Sequence, residues 1–208
     1  MVIGLMGGIG SGKSTVLNYL ESNYNAYIIQ SDFVAKEIMT SGHDVFEQIC
    51  DIFPEAVSEN EIDSKKLSEI VFADEEKLKL LNSITHPATV KEIAGRIKES
   101  KEDIVVVESA LLIGSGLEKY CDEIWFVFCE MQKRIERLIN DRGYTREKAE
   151  SIIAKQLSDD EYNDSADEFI DNTYSVEKTR EQVDMLLSMQ LCSCLLYTSP
   201  SPRDSTSS

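Results

Sequence analysis

The chain is short of the features that mark membrane proteins, secreted disulfide scaffolds and nucleic-acid binders. Over its 208 residues no apolar run approaches the ~20 residues that cross a bilayer, and Val2-Ile3-Gly4-Leu5-Met6 runs directly into glycines without a basic leader or a sustained apolar one. Only 21 Lys and Arg stand against 38 Asp and Glu. The formal net charge of -17 makes the average surface repel nucleic acid and anionic membranes. The reading is therefore a cytoplasmic chain with no nucleic-acid or membrane partner, on which any polyanion must bind at a local electropositive site. Cysteine is sparse as well. Cys50, Cys121 and Cys129 are widely scattered, without CxxC or Cys/His metal spacing, and are expected to be reduced thiols packed as small hydrophobes.

What is present suits one buried core: 42% hydrophobic and 28% charged residues in a chain long enough for a single domain of ordinary size. Val2 to Met6, Ala26 to Ile29, Ile104 to Val107 and Ile124 to Phe128 are short apolar runs, and Phe169-Ile170 is a fifth candidate strand. The continuous β-branched run Ile104-Val105-Val106-Val107 is the pattern of a strand buried on both faces of a parallel sheet. Ser14 to Leu20 has helical spacing, residues 33 to 100 carry helical patterns only, and Gln132 to Gln156 reads as helix, turn at Gly143, helix. The alternation predicts an α/β fold, a doubly wound parallel sheet with a helical layer over residues 33 to 100.

Gly7-Gly8-Ile9-Gly10-Ser11-Gly12-Lys13-Ser14 fits GxxxxGK[ST] in full, after a predicted strand and before a predicted helix, as a phosphate loop requires. The expected chemistry is local. Backbone amides of Gly8, Gly10, Ser11, Gly12 and Thr15 turn toward the phosphates of ATP, Lys13 bridges its β- and γ-phosphates, and the Ser14 hydroxyl ligates Mg²⁺. This cradle supplies the positive site that the acidic surface lacks. The motif does not name a reaction, because GTPases, ATPase motors and small-molecule kinases share it. No Asn-Lys-x-Asp guanine-reading element occurs and the chain is too short for ring-forming or helicase elements, which leaves a small kinase of the P-loop NTPase type.

Such a kinase needs a carboxylate near the γ-phosphate to orient or deprotonate the acceptor hydroxyl. Asp32 directly follows the second predicted strand, on the side where open α/β sheets build their sites. The alternative for Asp32 is a helix N-cap for residues 33 to 39.

Gly4 to Thr15, Ser31-Asp32-Phe33-Val34-Ala35-Lys36, Leu81-Asn82-Ser83-Ile84-Thr85-His86-Pro87, Leu111-Leu112 and Ile170-Asp171-Asn172 together resemble the dephospho-CoA kinase family, in order and spacing, up to about residue 190. The resemblance implies ATP-dependent phosphorylation of the ribose 3'-hydroxyl of dephospho-CoA, the last step of coenzyme A synthesis. It implies Asp32 as general base, and acceptor-side roles for Lys36, His86 and Pro87. Lys36 stands where the family usually has Arg and lacks the planar fork. Substrate positioning or packing at a helix start is the alternative for His86.

The chain also departs from the family. Gln30-Ser31-Asp32 replaces a common Asp-Ala-Asp, and Ala110-Leu111-Leu112-Ile113-Gly114 replaces Pro-Leu-Leu-Phe-Glu. Glu108 is then read either as the holder of an Mg²⁺-bound water or as solvated surface charge. Lys133, Arg134, Arg137, Arg142, Arg146 and Lys148 form a basic excess between Gln132 and Gln156, which by resemblance is a lid, expected over about residues 132–157. Arg142 and Arg137 are its candidates for the phosphates. The alternative is a charged hairpin paired with Glu136, Glu147 and Glu150. Asn172 is read either as adjacent to the adenine or as a turn residue.

The expected organisation is one domain over 1–191 with a helical acceptor region at about 33–100, acting as a monomer or weak homo-oligomer. Residues 192–208, rich in Ser, Thr and Pro toward their end, resemble translated adapter sequence and are expected to be disordered. Two other readings stay open: a P-loop kinase for another small hydroxyl substrate, and a nucleotide-binding module that has lost catalysis.

Overall fold

The structure, a computed structural model, describes residues 1–58 and 61–197. In chain order it runs β1 (Val2–Met6), α1 (Lys13–Tyr24), β2 (Tyr27–Gln30), α2 (Ser31–Glu37), α3 (Asp44–Ile52), β3 (Val57–Ser58) and β4 (Glu61–Ile62). Then come α4 (Ser64–Phe72), α5 (Glu75–Glu99), β5 (Val105–Glu108), β6 (Glu123–Phe128), α6 (Met131–Arg142), α7 (Arg146–Ile153), α8 (Asp159–Asp164), β7 (Glu168–Asp171) and α9 (Val176–Tyr197).

Five strands form one parallel sheet in the order β2-β5-β1-β6-β7. Side chains alternate across it, as a pleat requires. Val105, Val107 and Phe126 face a layer built from α2 to α5. Ile3, Leu5, Val106, Trp125, Val127 and Ile170 face α1 and α9 through Val16, Leu17, Leu20, Val183, Leu186 and Leu187. Both faces are covered, so the central strands are apolar over residues 2–6, 105–107 and 124–128, and the carboxyl ends of β1, β2 and β5 are left to open onto one crevice. The two covering helices are joined at their surface by a carboxylate. Tyr19 and Tyr24 each donate to Asp184 Oδ1, at 2.7 and 2.6 Å, and burial with this bond pushes the Tyr24 phenol up to about 12.

The structure corrects the sequence reading in four places. The layer over residues 33 to 100 is not purely helical: β3 and β4 pair antiparallel, Val57 with Ile62 and Ser58 with Glu61. Strands of two residues carry no period that a pattern can register. His86 and Pro87 do not open a helix; they lie in the middle of α5, which starts at Glu75 under an Asp74 cap and runs through the proline. Only one intrahelical donor is lost at Pro87, and the buried Thr85, Thr89 and Ile93 hold the helix to its layer on either side. Asp32 is no N-cap either, because α2 already begins at Ser31 behind Gln30. Finally, α9 continues to Tyr197, six residues beyond the expected end at Leu191, through a stretch with no Gly or Pro before Pro200. Residues 198–208 of the expected tail lie outside the described residues.

Candidate active site

The loop between β1 and α1 bends at Gly12, whose φ of 89° puts it in the left-handed region that favours glycine, and α1 begins at the next residue. Ser11 N–H donates to Gly8 O and Thr15 N–H to Gly12 O. Among the described residues, the amides of Gly8, Gly10, Gly12, Lys13 and Ser14 have no protein acceptor. Free donors along the loop and at a helix N-terminus, with the Lys13 ammonium beside them, fit the triphosphate of a nucleotide. Ser11 Oγ is the buried side-chain polar atom left without a partner among the described residues.

A loop whose amides turn inward turns its carbonyls outward, and those acceptors need donors of their own. Two helix-α6 arginines supply them. Arg134 Nε donates to Ile9 O at 2.9 Å, and Arg137 Nη1 donates to Gly10 O at 3.2 Å and Ser11 O at 3.1 Å. Asn172, 2% exposed at the end of β7, donates from Nδ2 to Ser11 O at 2.7 Å and accepts from Thr179 Oγ1 at 2.8 Å. Its own carbonyl accepts from Arg137 Nη2. Asn172 is therefore a buried clamp on the loop, a role that neither sequence reading of it contained. The packing is close enough to dictate glycine: a Cβ at Gly12 would meet Asn172 Nδ2 at 2.0 Å, and one at Gly8 would meet Arg134 Nη2 at 2.1 Å.

A cleft of about 700 Å³ brings together Gly8, Gly10, Gly12, Lys13, Ser14, Thr15, Asp32, Lys36, Arg137, Arg142 and Asn172. Glu108 lies there too, with its side chain 14% exposed and its Oε1 3.4 Å from Lys13 Nζ. Lys13 also donates to Gly7 O at 2.9 Å. Glu108 is thus the partner of the phosphate-loop lysine, an ion pair across 95 positions of sequence that no local pattern could disclose. Asp32 and Lys36 are exposed on one face of α2, one turn apart, and Lys36 lies 5.8 Å over the Phe33 ring.

Lys36 also lines a second cavity, of about 740 Å³, with Met39, Phe46, Ile62, Leu67, Val71 and Leu81 as its apolar walls. It lies under the β3–β4 hairpin. His86 and Pro87 line neither cavity; both are exposed on α5, whose buried face passes through Thr85 and Thr89. In the hairpin of α6 and α7, Lys133 pairs with Glu136 and Arg146 with Glu150, so part of its charge is a solvated ladder, and the Lys133 ammonium lowers the Glu136 carboxyl. Arg142, exposed at the end of α6, has no hydrogen bond or ion pair among the described residues. Among those residues no cluster of three or more His, Cys, Asp or Glu could hold a metal, and no helix is long and apolar enough to cross a membrane.

Comparisons with known proteins bear on the family and the fold. The sequence model of the dephospho-CoA kinase family matches residues 1–178. A dephospho-CoA kinase of Carboxydothermus hydrogenoformans is 41% identical over 187 residues, 88% of this chain and 90% of the relative. A solved structure from Thermus thermophilus superposes with a TM-score of 0.80 at 27% identity, covering 92% of this chain and 97% of that one. A dephospho-CoA kinase from Campylobacter jejuni has the same fold, with a TM-score of 0.67 at 24% identity and coverage of 92% and 98%.

Proposed function

The chain belongs to the dephospho-CoA kinase family, and from that premise we propose which of its side chains carry the reaction. The reaction is ATP-dependent phosphorylation of dephospho-CoA, the final step of coenzyme A biosynthesis. ATP seats its phosphates on the free amides of residues 8, 10 and 12 to 14. Lys13 leaves Gly7 O and Glu108 for the β- and γ-phosphates, where charge develops in the transition state. Asp32, on the far side of the same cleft, accepts the proton of the ribose 3'-hydroxyl and holds the attacking oxygen in line.

Arg137 is committed to the loop carbonyls, so Arg142, whose side chain has no partner among the described residues, is the lid cation that reaches the transferring phosphoryl group. Lys36 bridges the cleft and the apolar cavity, and there it neutralises acceptor phosphate while the cavity takes the less polar part of the acceptor. The donor set suits Mg²⁺, which binds through few protein oxygens plus substrate phosphates. Ser14 Oγ would hold the ion, with Glu108 lining the same cleft, and the ion would supply charge neutralisation of the phosphates. The enzyme acts in the cytoplasm as a monomer or weak homo-oligomer.

The observation that carries this assignment is the single cleft shared by the phosphate loop, Asp32 and Lys36. Its test is ADP release with ATP and Mg²⁺, comparing dephospho-CoA, adenosine, AMP and no acceptor. Stimulation by dephospho-CoA alone, with coenzyme A as product, is expected. ATP binding without acceptor-dependent turnover would mean a module that has lost catalysis, and turnover with a different acceptor would overturn the substrate.

A further inference from the structure

Ile9 lies at the tip of the phosphate loop, and both polar groups of its backbone are taken by side chains from distant segments. Its N–H donates to Gln156 Oε1 at 2.8 Å and its carbonyl accepts from Arg134 Nε at 2.9 Å. Arg134 Nη2 donates to the same Gln156 oxygen at 3.0 Å, closing a ring of three hydrogen bonds around Ile9. Arg134 is 3% exposed, and its Nη1 is held at 3.3 Å from Asp159 Oδ1. Gln156 follows α7, in the segment by which the α6–α7 hairpin returns to the body of the protein.

We propose that Gln156 is a positioning residue for the nucleotide: it fixes the Ile9 peptide from the end of the lid hairpin. An amide already bonded to Gln156 is withdrawn from the set offered to phosphate, which leaves the donors of Gly8, Gly10, Gly12, Lys13 and Ser14 as the cradle. An Ile9 peptide free to rotate would carry Gly10 with it, and the cradle would have to be ordered anew each time ATP binds. The same bond makes the cradle answer to the hairpin. Any movement of the α7 end that draws Gln156 away releases Ile9 and Arg134 together. The ring needs an oxygen acceptor at position 156 that serves two donors at once, and Gln156 Oε1 takes both the Ile9 N–H and Arg134 Nη2.

The inference rests on the kinase reading for its nucleotide, so its test is ATP binding without an acceptor, which is independent of the acceptor's identity. Three proteins are compared: the wild type, Gln156→Met, which keeps the side-chain length and removes the acceptor, and Gln156→Glu, which restores an oxygen for both donors. ATP affinity is read by calorimetry, and exchange of the Ile9 amide by hydrogen-exchange mass spectrometry of the segment 7–13. The Met variant is expected to lose at least tenfold in ATP affinity and the protection of Ile9, while KM for the acceptor stays within twofold. The Glu variant is expected to recover the protection.

ATP affinity of Gln156→Met within twofold of wild type would overturn the proposal, as would weakened binding with Ile9 still protected. Arg134→Lys gives a second arm should the Met variant fold poorly. It keeps the charge, loses the planar fork, and is expected to weaken ATP in the same direction; unchanged affinity there would also overturn the ring. A wild type that binds ATP but ignores dephospho-CoA would sink the acceptor assignment and leave this proposal standing.

Discussion

On the donor wall of the cleft the phosphate-loop carbonyls from Ile9 to Ser11 are held by Arg134, Arg137 and Asn172, and the glycines leave no room for a Cβ. On the acceptor wall Asp32, Lys36 and Phe33 stand exposed on a helix of seven residues, with the Lys36 ammonium 5.8 Å from the centre of the Phe33 ring. One wall is built before substrate arrives, and the other is finished by it. The difference matches the two ligands. A triphosphate presents the same oxygens every time and rewards a fixed set of amides. A large acceptor with an apolar arm needs a roomy cavity and a movable cation.

The two walls separate most sharply at Asp32. Asp32→Asn is expected to lower kcat by about 10²–10⁴, the usual range for loss of a positioned base, while ATP affinity measured by calorimetry stays within about twofold. A matching loss of ATP affinity would show that the walls are not independent. Lys13→Ala attacks the other wall and should cost about 3 kcal/mol or more in kcat/KM, with ATP affinity falling as well. Near-normal kcat/KM in that variant would remove Lys13 from the transition state.

Asn172→Ala touches neither substrate directly. It removes two buried hydrogen bonds, leaving Ser11 O to Arg137 alone and the Thr179 hydroxyl to Ser175 O alone, and a melting experiment should find a loss of about 1–3 kcal/mol together with weaker ATP binding. Unchanged stability would mean that the donor wall is less tightly held than its hydrogen bonds indicate. The smallest effect is expected at Lys36. Lys36→Ala should raise KM for the acceptor by about tenfold, the scale of one charged hydrogen bond, with KM for ATP unmoved.

Legibility in the sequence divides along the same line. β1, β5 and β6 could be read because burial on both faces leaves runs such as Val105-Val106-Val107 with no polar interruption. The phosphate loop could be read because its glycines, lysine and serine are consecutive. Everything that steadies the loop was hidden: Arg134 looks like any lid charge, Gln156 like any helix-end amide, and Glu108 like a surface acid. Their partners are backbone groups or residues about a hundred positions away, and neither leaves a mark in local pattern. The β3–β4 hairpin was missed for want of length. His86 and Pro87 were misplaced because proline usually marks a helix boundary, whereas here the helix continues past it on the strength of its packed face.

The position of β1 in the sheet also governs how this protein is made. β1 precedes both of its neighbours in the chain: Val2 pairs with Val105 and Ile3 with Glu123, so both are synthesised much later. Until β5 emerges, Val2 to Met6 is an apolar segment with no sheet to enter, and the glycine loop behind it has neither Arg134 nor Asn172 to shape it. Nucleotide binding consequently waits until Asn172 has been made, and the long wait of β1 for its partners is the interval in which a nascent copy is most exposed to aggregation.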